Sequence, residues 1–156
     1  MKEVTVLGAG LAGSECAWQL AKRGIKVKLY EMKPEKFSPA HSNTNLAEIV
    51  CSNSFKSNSI TNACGLLKEE LRRLDSLLIK TADETSVPAG QALAVDRERF
   101  SELVTKKIEE NPNIEIIRDE CTKIDKDGIT IIATGPLTSD KIAEQIGKIT
   151  GNDTLA

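Results

Sequence analysis

The chain has 156 residues, 40% of them hydrophobic and 28% charged, which is about one domain's worth with enough apolar material for a core and excludes collagen-like, mucin-like and disordered classes. Aromatic residues are only 3%, so the core is expected to be aliphatic. The net charge of -2, from 21 Lys and Arg against 23 Asp and Glu, excludes a global attraction to phosphate backbones or anionic lipid, and a nucleic-acid partner would have to meet a local basic patch.

Residues 3–7 are a short β-branched apolar run ended by glycine, and Leu11, Ala12, Cys16, Ala17, Leu20 and Ala21 follow at helical spacing, so strand, tight turn and helix are expected. Gly24 stops the helix, and Ile25, Val27 and Leu29 alternate with Lys26 and Lys28 in a second strand that ends near Glu31. Together these make one βαβ unit of about 30 residues. Over residues 33–62 the composition shifts to Ser, Asn, Pro and Lys, and only residues 46–50 are apolar enough for a short helical turn. A surface loop of that length inside a domain is disordered or functional, and its specific polar residues favour function. Leu67, Leu71, Leu74 and Leu78 predict the apolar stripe of one long helix over about residues 61–80, with Lys68, Glu69, Glu70, Arg72 and Arg73 on its solvated face.

Val87-Pro88-Ala89-Gly90 reads as a turn, residues 92–95 as a short strand, and Asp96 as the N-cap of a helix that carries Phe100, Leu103, Val104 and Ile108 and ends at Asn111-Pro112-Asn113. Residues 114–118 and 121–125 look like strands, Lys126-Asp127-Gly128 like a hairpin-type turn, and residues 129–133 like a fully buried strand. That strand runs into Thr134-Gly135-Pro136, and Ser139 or Asp140 caps a last helix. The expected fold class is therefore α/β and Rossmann-like, with a mainly parallel sheet shared by the strands from Glu3, Ile25 and Ile129. One domain over residues 1–156 carries a functional loop at about 33–62.

The cysteines at positions 16, 51, 64 and 121 fit neither a CxxC metal knuckle nor a dense secreted scaffold, so reduced thiols, no metal and a cytoplasmic setting are expected. No run approaches the ~18 apolar residues of a membrane span. Met1-Lys2-Glu3 lacks a basic leader region and runs on into glycines, so the mature protein is expected to start here.

Gly8-Ala9-Gly10-Leu11-Ala12-Gly13 fits GxGxxG between a predicted strand and a predicted helix, with Glu31 18 residues beyond Gly13. In dinucleotide-binding turns of this kind the first glycine permits the tight turn, the second lets a diphosphate approach the backbone, and the third lets helix and strand pack closely. The helix N-terminus offers free amides to the diphosphate, and Glu31 is placed to accept hydrogen bonds from an adenosine ribose, which favours FAD or NAD over NADP. Ala133-Thr134-Gly135 is a small turn where backbone passes close to a dinucleotide, typical of two-dinucleotide flavoproteins, and it tips the choice to FAD. Cys51 lies among Ser52, Asn53, Ser54, Ser57, Asn58 and Ser59, and Lys56 or a helix N-terminus is placed to promote its thiolate, although a partly buried inert thiol is the ordinary alternative. His41, the only histidine, is either a contact to flavin or substrate or simply a solvated loop residue.

Gly8 to Glu15, Tyr30-Glu31-Met32-Lys33-Pro34, the loop from Cys51 to Ser59, the stretch from Gly65 to Ser76, Pro88-Ala89-Gly90 with Ala94-Val95-Asp96-Arg97, and Ala133 to Ser139 together resemble the folate- and FAD-dependent tRNA (uracil-5-)-methyltransferase family, also called TrmFO or Gid. The resemblance implies that methylenetetrahydrofolate donates a one-carbon unit to C5 of the T-loop uridine of tRNA, that reduced FAD supplies electrons, and that NAD(P)H re-reduces the flavin. Cys51 matches one of the family's two functional cysteines, with the division of roles between them open. A thiolate adding to C6 of uracil makes C5 nucleophilic toward a methylene iminium carried on the flavin. The complete enzyme is implied to bind the T-arm of tRNA and a folate donor, with no membrane and no metal. Family members are far longer, so this chain looks like their N-terminal third and is expected to be inactive alone, with apolar groups of the Ile129 strand and the last helix left exposed. The competing class is a generic FAD- or NAD-dependent oxidoreductase module.

Overall fold

The computed structural model describes residues 3–125 and 127–151. The expected starting residues Met1 and Lys2, Lys126 of the expected turn, and residues 152–156 lie outside the described residues. In chain order the elements are β1 (Glu3–Leu7), α1 (Leu11–Lys22), β2 (Lys26–Tyr30), β3 (Ser54–Ser57), α2 (Ala63–Arg73), α3 (Leu77–Glu84), β4 (Ser86–Val87), β5 (Ala92–Val95), α4 (Arg97–Glu109), β6 (Ile114–Ile117), β7 (Ile129–Ile132) and α5 (Asp140–Thr150), with a 3-10 turn at Gly135–Leu137.

The β-branched runs pair in parallel in the order β6-β2-β1-β7, with Val4 opposite both Val27 and Ile129, and Val27 opposite Ile114. A parallel sheet needs cover on its faces. Here Val4, Val6, Val27 and Leu29 are buried in one core with Ala17 and Ala21 of α1 and Phe100, Val104 and Ile108 of α4. Asp96 caps α4 as expected, its Oδ1 accepting the Arg99 N–H at 3.1 Å. The expected parallel sheet is therefore present, with β1 in its interior. The expected strand β5 belongs elsewhere, to a second, antiparallel sheet of order β3-β5-β4. No described helix is long and apolar enough to cross a membrane.

The long helix expected over residues 61–80 is broken. Asp75 takes φ 62° between α2 and α3, and Ser76 begins α3 as its N-cap, accepting the Ile79 N–H. Glu15 on α1 secures the break: its carboxylate accepts from the Ser76 hydroxyl and from the Leu77 and Leu78 amides at 2.8–3.2 Å. A carboxylate on the orphan donors of a helix start satisfies them and complements the helix dipole. Lys22 and Lys80 both pair with the Asp75 carboxylate.

This break turns α2 away from the orientation its leucines predict. Gly65 and Lys68 are buried, whereas Leu67 and Leu74 are 56% and 68% exposed. Gly65 is pressed against Ser59, whose carbonyl oxygen would stand 1.9 Å from an added Cβ. Lys68, expected on the solvated face, instead donates from Nζ to the Ser57 and Cys64 carbonyls, each at 2.9 Å, and burial holds its ammonium below the usual lysine range. Backbone-to-backbone fit at Gly65 thus outweighs the leucine stripe.

Three further expectations need correction. Residues 46–50 form no helical turn: Leu46 and Ala47 are buried, with the Leu46 amide on Thr105 Oγ1 and the Ala47 amide on the Ala9 carbonyl. The surface loop over 33–62 is in this way partly core, and it contains β3. Residues 121–125 form no strand, and β7 pairs in parallel with β1. β7 is an edge strand, half-exposed where full burial was expected, with Ile129 55% and Ile132 42% exposed. Together with the exposed Ile149 of α5, this bears out the expected uncovered apolar face.

Candidate functional site

At the carboxyl ends of β1, β2 and β7 a cleft of about 310 Å³ opens, where ligands of open α/β sheets bind. The first wall is the glycine-rich turn. Gly8 has φ 91°, and a Cβ there would stand 2.8 Å from the Ala133 carbonyl oxygen and 3.0 Å from Thr134 Cα, so the missing side chain lets the end of β7 pass against the end of β1. Gly13 packs beneath, where an added Cβ would lie 1.8 Å from the Gly8 carbonyl oxygen. Gly10 differs: nothing lies within 4 Å of its would-be Cβ, and as N-cap of α1 it leaves the first-turn amides without a side-chain cap. The turn therefore presents open backbone and uncapped N–H groups to the cleft, a cradle fitted to a diphosphate.

Glu31, 8% exposed, stands on the second wall. Its Oε2 accepts the Ala9 amide at 3.2 Å and its Oε1 the Lys33 amide at 3.1 Å. An ionised carboxylate accepts up to about four hydrogen bonds, so capacity remains for a vicinal diol. Thr134 and Gly135 line the third wall, where Gly135 opens the 3-10 turn and Thr134 and Thr138 join hydroxyls at 2.6 Å.

Gly8, Ala9, Gly10, Leu11, Ala12, Glu31, Thr134 and Gly135 thus meet in one cleft, while Gly13 lies behind the wall. Cys51 stands apart. It is exposed and lines a separate shallow hollow with Ser52, Asn53, Asp96 and Arg97, but its neighbour Val50 lines the cleft, so the two sites are contiguous along the chain. Cys16 packs half-buried against the core as expected, and burial pushes its thiol up.

The fourth wall comes from the 33–50 stretch, where a functional loop with His41 as a candidate contact was expected, and from residues 119–121, which nothing in the sequence singled out. Lys33 and Glu48 form a buried ion pair at 3.2 Å, their side chains 5% and 8% exposed. Lys33 Nζ also donates to the Asn45 carbonyl, and Glu48 accepts the amides of Ser42 and Asn43. Burial alone pushes the Glu48 carboxyl up, but the Ser42 and Lys33 hydrogen bonds together hold it below the usual glutamate range. Glu120 joins the two segments through Lys36 at 2.8 Å. The pairing of Lys33 with Glu48 leaves no signal in the sequence, since the two stand 15 residues apart in a polar stretch. Among the described residues no group of His, Cys, Asp and Glu is placed to hold a metal ion.

Comparison with known proteins places this geometry. Residues 3–153 match the family described as glucose inhibited division protein A. The methylenetetrahydrofolate--tRNA-(uracil-5-)-methyltransferase TrmFO of Lactobacillus gasseri is 64% identical over 155 residues, 99% of this chain and 35% of that protein. The proteins of the same name from Fusobacterium nucleatum and Anoxybacillus flavithermus are 64% and 60% identical, over 99% and 98% of this chain and 36% and 35% of theirs. The chain thus spans about a third of the length of these relatives. Among solved structures it shares its fold with NikD, an unusual amino acid oxidase (TM-score 0.55, 14% identity, 94% of this chain and 55% of that chain). It shares it also with the p-nitrophenol 4-monooxygenase PnpA of Pseudomonas putida (TM-score 0.52, 16% identity, 81% of this chain and 35% of that chain). With the match running through nearly every described element, the chain belongs to the glucose inhibited division protein A family.

Proposed function

We propose that this chain is the dinucleotide-binding portion of a methylenetetrahydrofolate- and FAD-dependent methyltransferase that converts the T-loop uridine of tRNA to 5-methyluridine. The observation that carries the reading is the identity, along nearly the whole chain, to relatives named for that reaction. The cleft agrees with it in chemistry. The Gly8–Ala12 backbone and the α1 amides receive the diphosphate, Glu31 receives the adenosine ribose, and Thr134 and Gly135 border the opposite side. FAD, when bound, supplies the electrons that reduce the transferred carbon, with NAD(P)H as their source. Cys51, exposed one residue beyond the cleft, is one of the two cysteines of the reaction. One of the pair adds as thiolate to C6 of the uracil ring, which makes C5 nucleophilic toward the one-carbon unit; loss of the C5 proton and expulsion of the thiolate then restore the aromatic ring. Exposed Lys56 and Arg97 supply the local positive charge that a tRNA partner needs in a chain of net charge -2.

The test is a chimera in which this chain replaces the matching third of the Lactobacillus gasseri relative. With FAD, NAD(P)H, methylenetetrahydrofolate and unmodified tRNA, the chimera should form 5-methyluridine, and the 156-residue chain alone should form none above a no-protein control. A chimera that binds flavin and oxidises NAD(P)H but never methylates tRNA would instead mark a generic flavin oxidoreductase module.

Glu31→Ala should weaken FAD binding roughly 10- to 100-fold, because each charge-assisted hydrogen bond to the ribose contributes about 1.5–3 kcal/mol. Flavin titration of the chimera checks this, and an unchanged dissociation constant would remove Glu31 from the site.

A further inference from the structure

We propose that His41 is a hydrogen-bond donor to the bound dinucleotide, set in one tautomer by Ser38; the inference rests on the dinucleotide reading of the cleft and adds a contact that the glycine motif does not contain. Residues 38–41 form a tight turn closed by the His41 amide on the Ser38 carbonyl at 3.2 Å. Inside the turn the Ser38 hydroxyl, in a residue 8% exposed, meets His41 Nδ1 at 2.5 Å and accepts the Ala40 amide at 3.3 Å. Either direction is open to a hydroxyl, which accepts twice and donates once, but an Nδ1–H donating to Ser38 would leave the hydroxyl proton with no acceptor among the described residues in a residue that is 8% exposed, so the proposal takes Ser38 as donor and Nδ1 as acceptor. In the neutral ring an Nδ1 that accepts leaves the proton on Nε2, so the second nitrogen is a donor.

That donor has no partner among the described residues, and His41 lines the cleft together with Gly8, Gly10 and Glu31. The next residues hold the turn in place, since the Ser42 amide and hydroxyl both bond Glu48 Oε1, and Glu48 is tied to Lys33. The other ionisable groups on the cleft wall are the carboxylates Glu31, Glu48, Asp119 and Glu120, the ion-paired Lys33, the Tyr30 phenol and the Cys121 thiol. His41 is thus a preorganised donor with a vacant valence, and a dinucleotide brings oxygen acceptors on its phosphates, its sugars and its flavin ring. The shared chemistry is an acceptor oxygen; the arms of the experiment assign it to the adenosine diphosphate half or the flavin half.

The first measurement needs no ligand. His41 is the only histidine, so a long-range proton–nitrogen spectrum of the 156-residue chain at a pH where the ring is neutral carries a single imidazole. It should show the proton on Nε2, and Ser38→Ala should shift it toward a mixture of tautomers. A wild-type ring protonated on Nδ1 overturns the proposal. The second measurement titrates FAD, ADP and FMN into the same chain. His41→Ala should weaken FAD about 5- to 10-fold, the worth of one net hydrogen bond. His41→Gln, whose amide nitrogen reaches the Nε2 position, should stay within about threefold of wild type on the same scale. A parallel loss for ADP assigns the acceptor to the adenosine diphosphate half, and a loss confined to FAD and FMN assigns it to the flavin half. Wild-type binding left unchanged by His41→Ala overturns the proposal alone. If the wild-type chain and the chimera both bind none of the three ligands, the dinucleotide reading falls, and the proposal with it.

Discussion

Replacing Cys51 with alanine in the chimera is expected to lower 5-methyluridine formation at least about a thousandfold while leaving flavin affinity unchanged, because on the proposed function Cys51 is one of two cysteines that carry a chemical step, and its loss removes that step and not a contact around it. The separation of the two effects follows from the geometry. Cys51 lines the hollow bordered by Asn53, Asp96 and Arg97, outside the cleft that holds Gly8, Gly10 and Glu31, so its side chain is free to act on a second substrate without disturbing the first site. Its exposure argues against the inert, walled-in thiol that an arbitrary sequence would suggest. A rate assay checks the prediction, and trapping of a tRNA adduct assigns the role: a variant that neither turns over nor forms the adduct makes Cys51 the residue that adds to C6, and one that forms the adduct without turning over gives that part to the second cysteine. Methylation near the wild-type rate would exclude Cys51 from the chemistry, whatever the fate of the cofactor assignment.

Glu48→Gln is expected to destabilise the chain by about 3 kcal/mol near neutral pH, since it leaves Lys33 buried without its counter-charge. The sign of the pH dependence follows from the direction of the shift. Hydrogen bonds from Ser42 and Lys33 outweigh burial and hold the Glu48 carboxyl below its usual range. A carboxyl depressed in the folded state stabilises the fold fully above its unfolded pKa, near 4.3, and ceases to do so as pH falls through the folded value. The gap between wild type and Glu48→Gln, read by denaturant unfolding, should therefore be largest above about pH 5 and close in acid. A gap independent of pH would mean that the Glu48 charge is not what holds the segment. The same variant should weaken FAD binding, because the segment that Glu48 anchors carries His41 and Val50 into the cleft.

The glycine-rich side of the cleft was legible in the residues because its determinants are local. A β-branched run, glycines at fixed offsets and an acid at the end of the next strand specify a turn whose geometry is settled within about 30 residues. Gly8 and Gly13 show why the spacing is strict: each faces backbone so closely that a methyl group has no room. Ala133-Thr134-Gly135 was expected as a small turn where backbone passes close to a dinucleotide, and the contact of Gly8 with Ala133 and Thr134 is what sets it against the glycine turn.

Periodicity failed where a distant group outbid it. Leucines at helical spacing predicted one continuous helix with an inward stripe, yet Glu15, 61 residues before Ser76, starts a new helix there, and Gly65 against Ser59 turns Leu67 outward and Lys68 inward. In the same way residues 129–133 have the composition of a buried strand, and only the sheet order places β7 at an edge.

By itself, then, the sequence determined the βαβ unit, the glycine turn, the acid that faces it, the α4 cap and the family, all of which depend on residues near one another in the chain or on the pattern as a whole. Tertiary structure alone decided which side of α2 is buried, that β3 and β5 form a separate antiparallel sheet, that Lys33, Ser38 and Glu48 complete the cleft and His41 joins it, where the sequence left a solvated position open, and that Cys51 lies just outside it. The physical reason is common to these cases: buried ion pairs, capping carboxylates and close backbone contacts draw their free energy from partners brought together by folding, and a polar side chain in a loop carries no mark of the partner it will meet.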